Sequence, residues 1–175
     1  MKGTVLYEVN DGVAVLTVDN PPVNPLSDGV RNGLYESLQK AEDDNSVKGV
    51  VLTGKGRAFI AGADISEFGG NVEGKSLNEV FQKLEFCKKP VVAAINGIAL
   101  GGGLETALCC NYRIIDKSAI VGLPEVNLGL LPGGGGTQRL PRLAGPGEAL
   151  KMMLTGSHVP AQKALNLGIV NSISG

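Results

Sequence analysis

The feature of the sequence that most restricts its fold is an alternation of short β-branched runs with amphipathic helical stretches. Two such runs, residues 4–9 and 13–19, flank Asn10-Asp11-Gly12 and predict an antiparallel hairpin. Two later runs, residues 47–53 and 90–95, are short, apolar and followed closely by glycine, which is typical of buried strands. Helical stretches lie between and after these runs. The order predicts an α/β fold with largely parallel strands after the hairpin.

Apolar spacing and capping residues mark the predicted helices. An amphipathic helix follows Ser27, which we interpret as its N-cap. A second helix, residues 77–87, begins with the capping-box pair Ser76 and Glu79 and carries one apolar stripe. The remaining predicted elements are a helix at residues 104–110, an extended segment at 112–116, a helix at 160–167 and a strand directly before Asn171. No internal repeat is visible in the sequence.

Length and charge limit the class of protein. A chain of 175 residues has the size of one domain, so we predict a single core domain over residues 1–175. Because the sequence ends just after a predicted strand, a fragment of a longer chain is an open alternative. The chain carries 16 Lys and Arg against 17 Asp and Glu, a formal net charge of −1. This balance provides no basic field for a phosphate backbone, and nucleic acid is not an expected partner.

Cysteines, histidine and apolar runs exclude further classes. Cys87, Cys109 and Cys110 are odd in number, and the adjacent pair cannot easily bridge, so we expect packed thiols rather than a secreted disulfide framework. The single His158 and the lack of a CxxC spacer predict no metal site. No apolar run approaches the ~20 residues that span a bilayer, and the N-terminus has no secretion signal. We therefore expect neither a membrane partner nor secretion.

Glycine accounts for 26 of the 175 residues, about twice the usual ~7%, and it concentrates beside acidic residues in three segments. These segments are residues 58–64, 96–105 and 122–137. Each adjoins a predicted strand, and ligands of α/β sheets bind where strands end. A helix starting near Gly102 would direct free backbone N–H groups at such a ligand. Together with amides around Ala63, these groups would form an oxyanion hole.

Two carboxylates accompany these glycines. Glu105 lies one turn into the predicted helix, and Glu125 lies in an apolar setting after a separate strand. Two carboxylates without a metal are typical of general acid/base catalysis. Structural explanations stay open, because glycine clusters also form turns, Glu105 would suit a helix N-terminus and Glu125 would suit a loop. No phosphate-binding P-loop, dinucleotide fingerprint or nucleophile elbow is present.

Four segments resemble, in order, the signature segments of the crotonase, or enoyl-CoA hydratase/isomerase, superfamily. They are Ala61–Ile65, Lys89–Gly97, Gly101–Glu105 and Pro132–Leu140. The resemblance covers about residues 5–171 and implies a ββα spiral core. Residues 20–24 and 122–125 are more similar to the hydratase/isomerase domain at the N-terminus of multifunctional β-oxidation enzymes.

The resemblance implies a role for each candidate residue. The N–H groups of Ala63 and Gly102 would polarise the thioester carbonyl of an acyl-CoA. Glu105 would orient and activate a water that adds at C3 of a 2-trans-enoyl-CoA, and Glu125 would donate the proton at C2. Because isomerases of the superfamily generally keep the acid at the position of Glu125, a Δ3,Δ2-isomerase activity is a second expectation. Another oxyanion-stabilised acyl-CoA reaction, or a fragment that only folds and associates, are the alternatives.

The resemblance also implies binding contacts, partners and a compartment. The amide of Gly133 would contact the water, and the backbone near Ala61 would bind the adenine end of CoA. Coenzyme A comes with the substrate, so no separate cofactor is expected. Superfamily members usually continue into C-terminal helices that close the site and build trimers, and the sequence stops before this helical region. Partners would be an acyl-CoA and either a homotrimer or a following dehydrogenase domain. The location would be cytoplasmic in a bacterium and peroxisomal or mitochondrial in a eukaryote.

Overall fold

A hairpin opens the chain, as predicted. β1 (Thr4–Asn10) pairs antiparallel with β2 (Val13–Asp19), and the turn residues Asp11 and Gly12 have φ of 50° and 80°. This left-handed turn backbone matches the twist of the two strands. Helix α1 (Asp28–Asp43) follows. The structure is a computed structural model that describes residues 3–64, 67 and 74–175, so Ile65 of the first signature segment lies outside the described residues.

After α1 the chain repeats a unit of two strands and one helix. The first unit comprises β3 (Gly49–Gly54), β4 (Ala58–Ala61) and α2 (Leu77–Glu85). The second comprises β5 (Val91–Ile95), β6 (Ile98–Leu100) and α3 (Gly102–Leu108). The third begins with β7 (Tyr112–Asp116) and β8 (Ile120–Gly122) and continues into a 3-10 helix, Glu125–Leu128. This succession is the ββα spiral that the resemblance implies.

The two strands of each unit enter different sheets. The remaining elements are α4 (Gly136–Ala144), α5 (Pro146–Thr155), β9 (Val159–Pro160), α6 (Ala161–Asn166) and β10 (Ser172–Ser174). The first strand of each unit joins a six-stranded sheet of order β1-β2-β3-β5-β7-β10, which is parallel throughout after the hairpin. Second strands join a four-stranded sheet of order β4-β6-β8-β9, in which β9 is antiparallel to β8. The predicted parallel pairing is confirmed.

The core forms because β2 and α1 each bury the one face on which their apolar residues recur. Alternate residues of β2, Leu16 and Val18 among them, are fully buried, as the two-residue period of a strand requires. Val30, Leu34 and Leu38 recur every four residues along α1 and are also fully buried. The apolar stripe of α1 therefore closes the core beside the hairpin.

One local prediction is confirmed in position only, and another was wrong. Ser27 occupies the N-cap position of α1, but its hydroxyl does not cap the helix and instead accepts a hydrogen bond from the Asn20 Nδ2 atom at 3.1 Å. The segment before Asn171 is not a strand. The apolar side chain of Ile169 is fully buried in the core without forming a strand, and the Ile169 N–H donates to the carbonyl of Ala164 at 2.9 Å. The strand follows Asn171 instead, as β10.

Other local predictions are confirmed. In the capping box of α2, the Ser76 N–H donates to the Glu79 carboxylate at 2.9 Å and the Glu79 N–H donates to the Ser76 hydroxyl at 3.3 Å. Cys109 and Cys110 are buried as small hydrophobes, and burial raises the pKa of the Cys109 thiol to about 12. No helix in the described ranges is long and apolar enough to cross a bilayer.

Candidate active site

The register of two parallel strands brings the predicted oxyanion donors together. In the four-stranded sheet Ala61 of β4 lies opposite Leu100 of β6, and both strands end at this pair. Ala63 and Gly102 each follow two residues later. A methyl group built on Gly102 would lie 3.5 Å from the backbone nitrogen of Ala63, so the two peptides are neighbours.

Local geometry leaves the N–H groups of both residues available. The Leu26 N–H donates to the Gly62 carbonyl at 2.9 Å, within a parallel bridge between Leu26 and Ala63. Because alternate peptide groups of such a bridge point to opposite sides, the Ala63 N–H points away from Leu26. Gly102 is the first residue of α3, so its N–H has no carbonyl in a preceding helical turn. Neither N–H is therefore used by the neighbouring strand or helical turn.

Glu105 is held rigidly inside the protein. It lies in the first turn of α3 and is only 3% exposed. Its Oε1 atom accepts hydrogen bonds from the N–H groups of Gly134 and Gly136, each at 2.8 Å. Burial raises the pKa of Glu105 above its ordinary value, while the two N–H donors and the Arg139 guanidinium partly offset the rise. The two donors favour the ionised carboxylate and fix its orientation.

Glu125 has a contrasting environment. It opens the 3-10 helix after β8 and is half-buried. Its Oε2 atom is buried without a hydrogen-bond partner in the described part of the chain. Burial raises the pKa of Glu125; its own backbone N–H partly offsets the rise, and the negative charge of Glu105 adds to it. A buried carboxyl oxygen without a donor favours the protonated form.

The two carboxyls differ in their hydrogen-bond donors, while burial raises the pKa of both. Glu105 has two N–H donors that stabilise a negative charge, and Glu125 has an oxygen with no such donor. Pairs of titratable groups whose environments favour opposite protonation states mark acid and base roles. Both carboxyls line the same cavity.

All six residues singled out in the sequence line one cavity of about 410 Å³. They are Ala61, Ala63, Gly102, Glu105, Glu125 and Gly133. The other walls are largely apolar and include Leu77 and Leu100. Three further leucines come from the end of the 3-10 helix and the residues just after it, namely Leu128, Leu130 and Leu131. Among these, Leu128 and Leu131 are 57% and 79% exposed, so apolar side chains extend from the cavity to the surface. Apolar walls lower the local dielectric and strengthen hydrogen bonds formed inside.

Sequence reasoning missed the groups that hold Glu105. Gly134 and Gly136 lie in the predicted glycine segment, but the sequence gives no sign that their N–H groups converge on a carboxylate. It also missed a smaller adjoining cavity of about 290 Å³, lined by the ion pair of Arg31 and Glu67 at 2.6 Å. Within the described ranges, no cluster of three or more His, Cys, Asp or Glu side chains could hold a metal ion.

The spiral of ββα units and the cavity at the ends of β4 and β6 define the class, a crotonase-type α/β protein. The sequence pattern of the enoyl-CoA hydratase/isomerase family matches residues 8–175. The chain therefore belongs to the enoyl-CoA hydratase/isomerase family.

Individual relatives agree with this assignment. The chain is 50% identical over 169 residues to a peroxisomal bifunctional enzyme of Danio rerio, covering 96% of this chain and 24% of the relative. It is 45% identical to a probable enoyl-CoA hydratase of Bacillus subtilis, covering 93% of this chain and 66% of the relative. The crystal structure of an enoyl-CoA hydratase from Bacillus anthracis matches with a TM-score of 0.92 at 37% identity, over 98% of this chain and 70% of that one. The chain thus spans about a quarter of the length of its bifunctional relative.

Proposed function

We propose that this chain is an enoyl-CoA hydratase that adds water across the 2-trans double bond of an enoyl-CoA in fatty-acid β-oxidation. The contrast between the two carboxyls carries the proposal, because hydration needs one group to accept a proton from water and another to deliver a proton to carbon. Family membership and relatives named as hydratases support it.

The substrate enters with its thioester oxygen between the N–H groups of Ala63 and Gly102. These donors stabilise the negative charge that develops on that oxygen as water attacks. The donors are fixed by strand register and helix position, so little reorganisation is needed during the reaction. The backbone near Ala61 binds the adenine end of CoA, and the Gly133 amide provides a further contact to the water.

Hydration moves two protons. The water between the carboxyls loses a proton to ionised Glu105 as its oxygen bonds to C3. The electrons of the double bond shift towards C2 and the thioester, and C2 takes the proton of Glu125. The proton gained by Glu105 then returns to Glu125 before the next turnover. No metal, redox group or separate cofactor takes part in this scheme.

The first test is the loss of the ultraviolet absorbance of crotonyl-CoA, since hydration removes its conjugated double bond. Wild-type chain is expected to bleach the band, and Glu125→Gln to lower kcat by about 100- to 10,000-fold while CoA-ester binding stays within a few-fold. Glu36→Gln is the matched control, because Glu36 is exposed on α1. Loss of binding together with turnover in Glu125→Gln would identify a structural glutamate instead.

Isomerisation of Δ3-enoyl-CoA to Δ2-enoyl-CoA is a second candidate. The unpartnered Oε2 of Glu125 favours it, because a single carboxyl can carry a proton between C2 and C4 over the same pair of N–H donors. Glu105→Gln separates the two reactions, since only hydration needs the second carboxylate. We expect Glu105→Gln to reduce hydration more than isomerisation, and equal losses would contradict the assigned roles.

We further propose that the chain acts within a longer protein. The bifunctional relatives, of which it spans about a quarter, support this proposal. A following dehydrogenase domain, a homotrimer and a single core domain over residues 1–175 stay predictions. Relatives named as peroxisomal support a peroxisomal location in a eukaryote. A mitochondrial location in a eukaryote and a cytoplasmic one in a bacterium stay predictions.

A further inference from the structure

Arg139 joins two helices to the turn that precedes α4. Arg139 lies near the start of α4, and its Nη1 atom donates to the carbonyl of Gly134 at 2.7 Å. Its Nε and Nη2 atoms donate to the carboxylate of Glu85 on α2, at 3.3 and 2.6 Å. The guanidinium thus forms a fork on one carboxylate and still reaches a backbone carbonyl, a geometry that lysine cannot reproduce.

The turn that Arg139 contacts is the one that holds Glu105. The carbonyl of Gly134 accepts from Arg139, and the N–H of the same residue donates to the Glu105 carboxylate at 2.8 Å. The next residue, Gly135, has φ of 92°, and a methyl group built on it would lie 2.3 Å from the Arg139 Nη1 atom. The guanidinium therefore packs directly against the outer side of the turn.

We infer that Arg139 is a positioning residue for hydration, which fixes the turn at Gly134 and through it the direction of the Glu105 carboxylate. The inference rests on the proposed hydratase function. Arg139 itself is not among the residues that line the cavity. If the fork opened, the turn and the carboxylate would move together, and a displacement near 1 Å costs about 100-fold in rate.

Electrostatics gives the inference a second readout. Among the described residues, the charged and titratable groups that face Glu105 are Glu125 from the 3-10 helix, Arg139 from α4 with Glu85 behind it, and Cys109 at the end of the helix of Glu105 itself. Of these, Arg139 lowers the pKa of the Glu105 carboxyl. Removing the guanidinium should therefore move the acidic limb of the pH–rate profile to higher pH.

The test compares Arg139→Gln and Arg139→Lys in the full chain, with Arg142→Gln as the matched control. Arg142 lies on the same helix, is exposed and, within the part of the chain that the structure describes, donates only to Gln138. We expect Arg139→Gln to lower kcat for crotonyl-CoA by about 10- to 100-fold with KM within about threefold. Arg139→Lys should leave the acidic limb near its wild-type position yet recover kcat only in part, and Arg142→Gln should match wild type.

Glu85→Gln completes the design. It should lower kcat less than Arg139→Gln, and the double variant should be no worse than Arg139→Gln alone, since both changes open one fork. An Arg139→Gln protein that is less stable but keeps kcat within twofold per folded site would overturn the inference. So would full recovery of kcat by lysine, which would leave no need for the fork.

A measurement without turnover separates this inference from the proposed function. Carbon-13 NMR titration of the Glu105 carboxyl should show a higher pKa in Arg139→Gln than in Arg142→Gln. If wild-type chain fails to hydrate crotonyl-CoA, the proposed function fails, and the titration still decides whether Arg139 acts on Glu105. An unchanged titration would overturn the inference.

Discussion

Gly134→Ala is the substitution whose effect follows most directly from the geometry around Glu105. A methyl group at this position would lie 2.1 Å from the Cε2 atom of Phe81 and 2.6 Å from the Oε2 atom of Glu105. To restore an ordinary contact of 3.4 Å, the ring would have to retreat by about 1.3 Å and the carboxylate by about 0.8 Å. Either side chain must move, or the turn must.

Both stability and activity should fall. Overpacking of this kind costs about 1–3 kcal/mol in the free energy of unfolding, or about 2–12 °C in Tm for a chain of this size. Displacement of the carboxylate by nearly 1 Å should lower kcat by about 100-fold. The fall in kcat should exceed the rise in KM, because the atoms nearest to the new methyl group belong to Phe81 and Glu105 and not to the proposed thioester donors at Ala63 and Gly102.

The assay is hydration of crotonyl-CoA together with thermal unfolding, measured at a temperature where each variant is folded. Gly147→Ala is the control, since a methyl group there meets no atom within 4 Å and lies in α5. It should leave kcat unchanged and leave Tm equal or slightly higher. A Gly134→Ala protein that keeps kcat within twofold, alongside an inactive Glu105→Gln protein, would refute the link between this turn and the carboxylate.

Three further predictions concern pH, capping and packing. The profile of kcat/KM against pH should rise as Glu105 ionises and fall as Glu125 ionises. Both apparent pKa values should lie above the ordinary glutamate value of 4.5, because burial raises both, and a rising limb below 4.5 would count against this assignment. Ser76→Ala should lower the free energy of unfolding by about 1 kcal/mol by removing the cap of α2, and an unchanged Tm would contradict it. Gly103→Ala should yield no cooperatively folded protein, since its methyl group would lie 1.8 Å from the Ile60 carbonyl oxygen. A normal unfolding transition in that variant would show that the two segments can separate at low cost.

The hairpin, α1 and α2 were predictable from the sequence, whereas the three-residue strands and two later helices, α4 and α5, were not. The hairpin, α1 and α2 carry enough residues for a period to show, and their bounds agree with prediction to within two residues at most ends. Strands β6 and β8 have three residues each, too few to reveal a period, and they exist because distant segments pair with them. Helix α4 escaped prediction because it begins in the glycine cluster and contains Pro141, both of which oppose helix formation locally.

The candidate side chains could be identified from the sequence, but the groups that contact them could not. Glu105 and Glu125 lie beside glycines at strand ends, and the structure brings both to one cavity. The N–H donors at Gly134 and Gly136 could not be identified from the sequence. Every residue except proline carries a backbone N–H, and the direction of that N–H depends on the conformation of the turn. Arg139 was missed because its contacts join α4 to a turn and to a helix more than fifty residues earlier.

The proposed pair of donors at Ala63 and Gly102 belongs to the main chain, and this shapes how genetic variation can affect the chain. Every amino acid except proline supplies the same N–H, so proline is the one substitution that deletes the donor itself. Other substitutions act indirectly, through bulk; a side chain at codon 102 would begin 3.1 Å from Leu26. A mutational scan would therefore score the two carboxylates by their chemistry and these two positions by the size of the residue introduced.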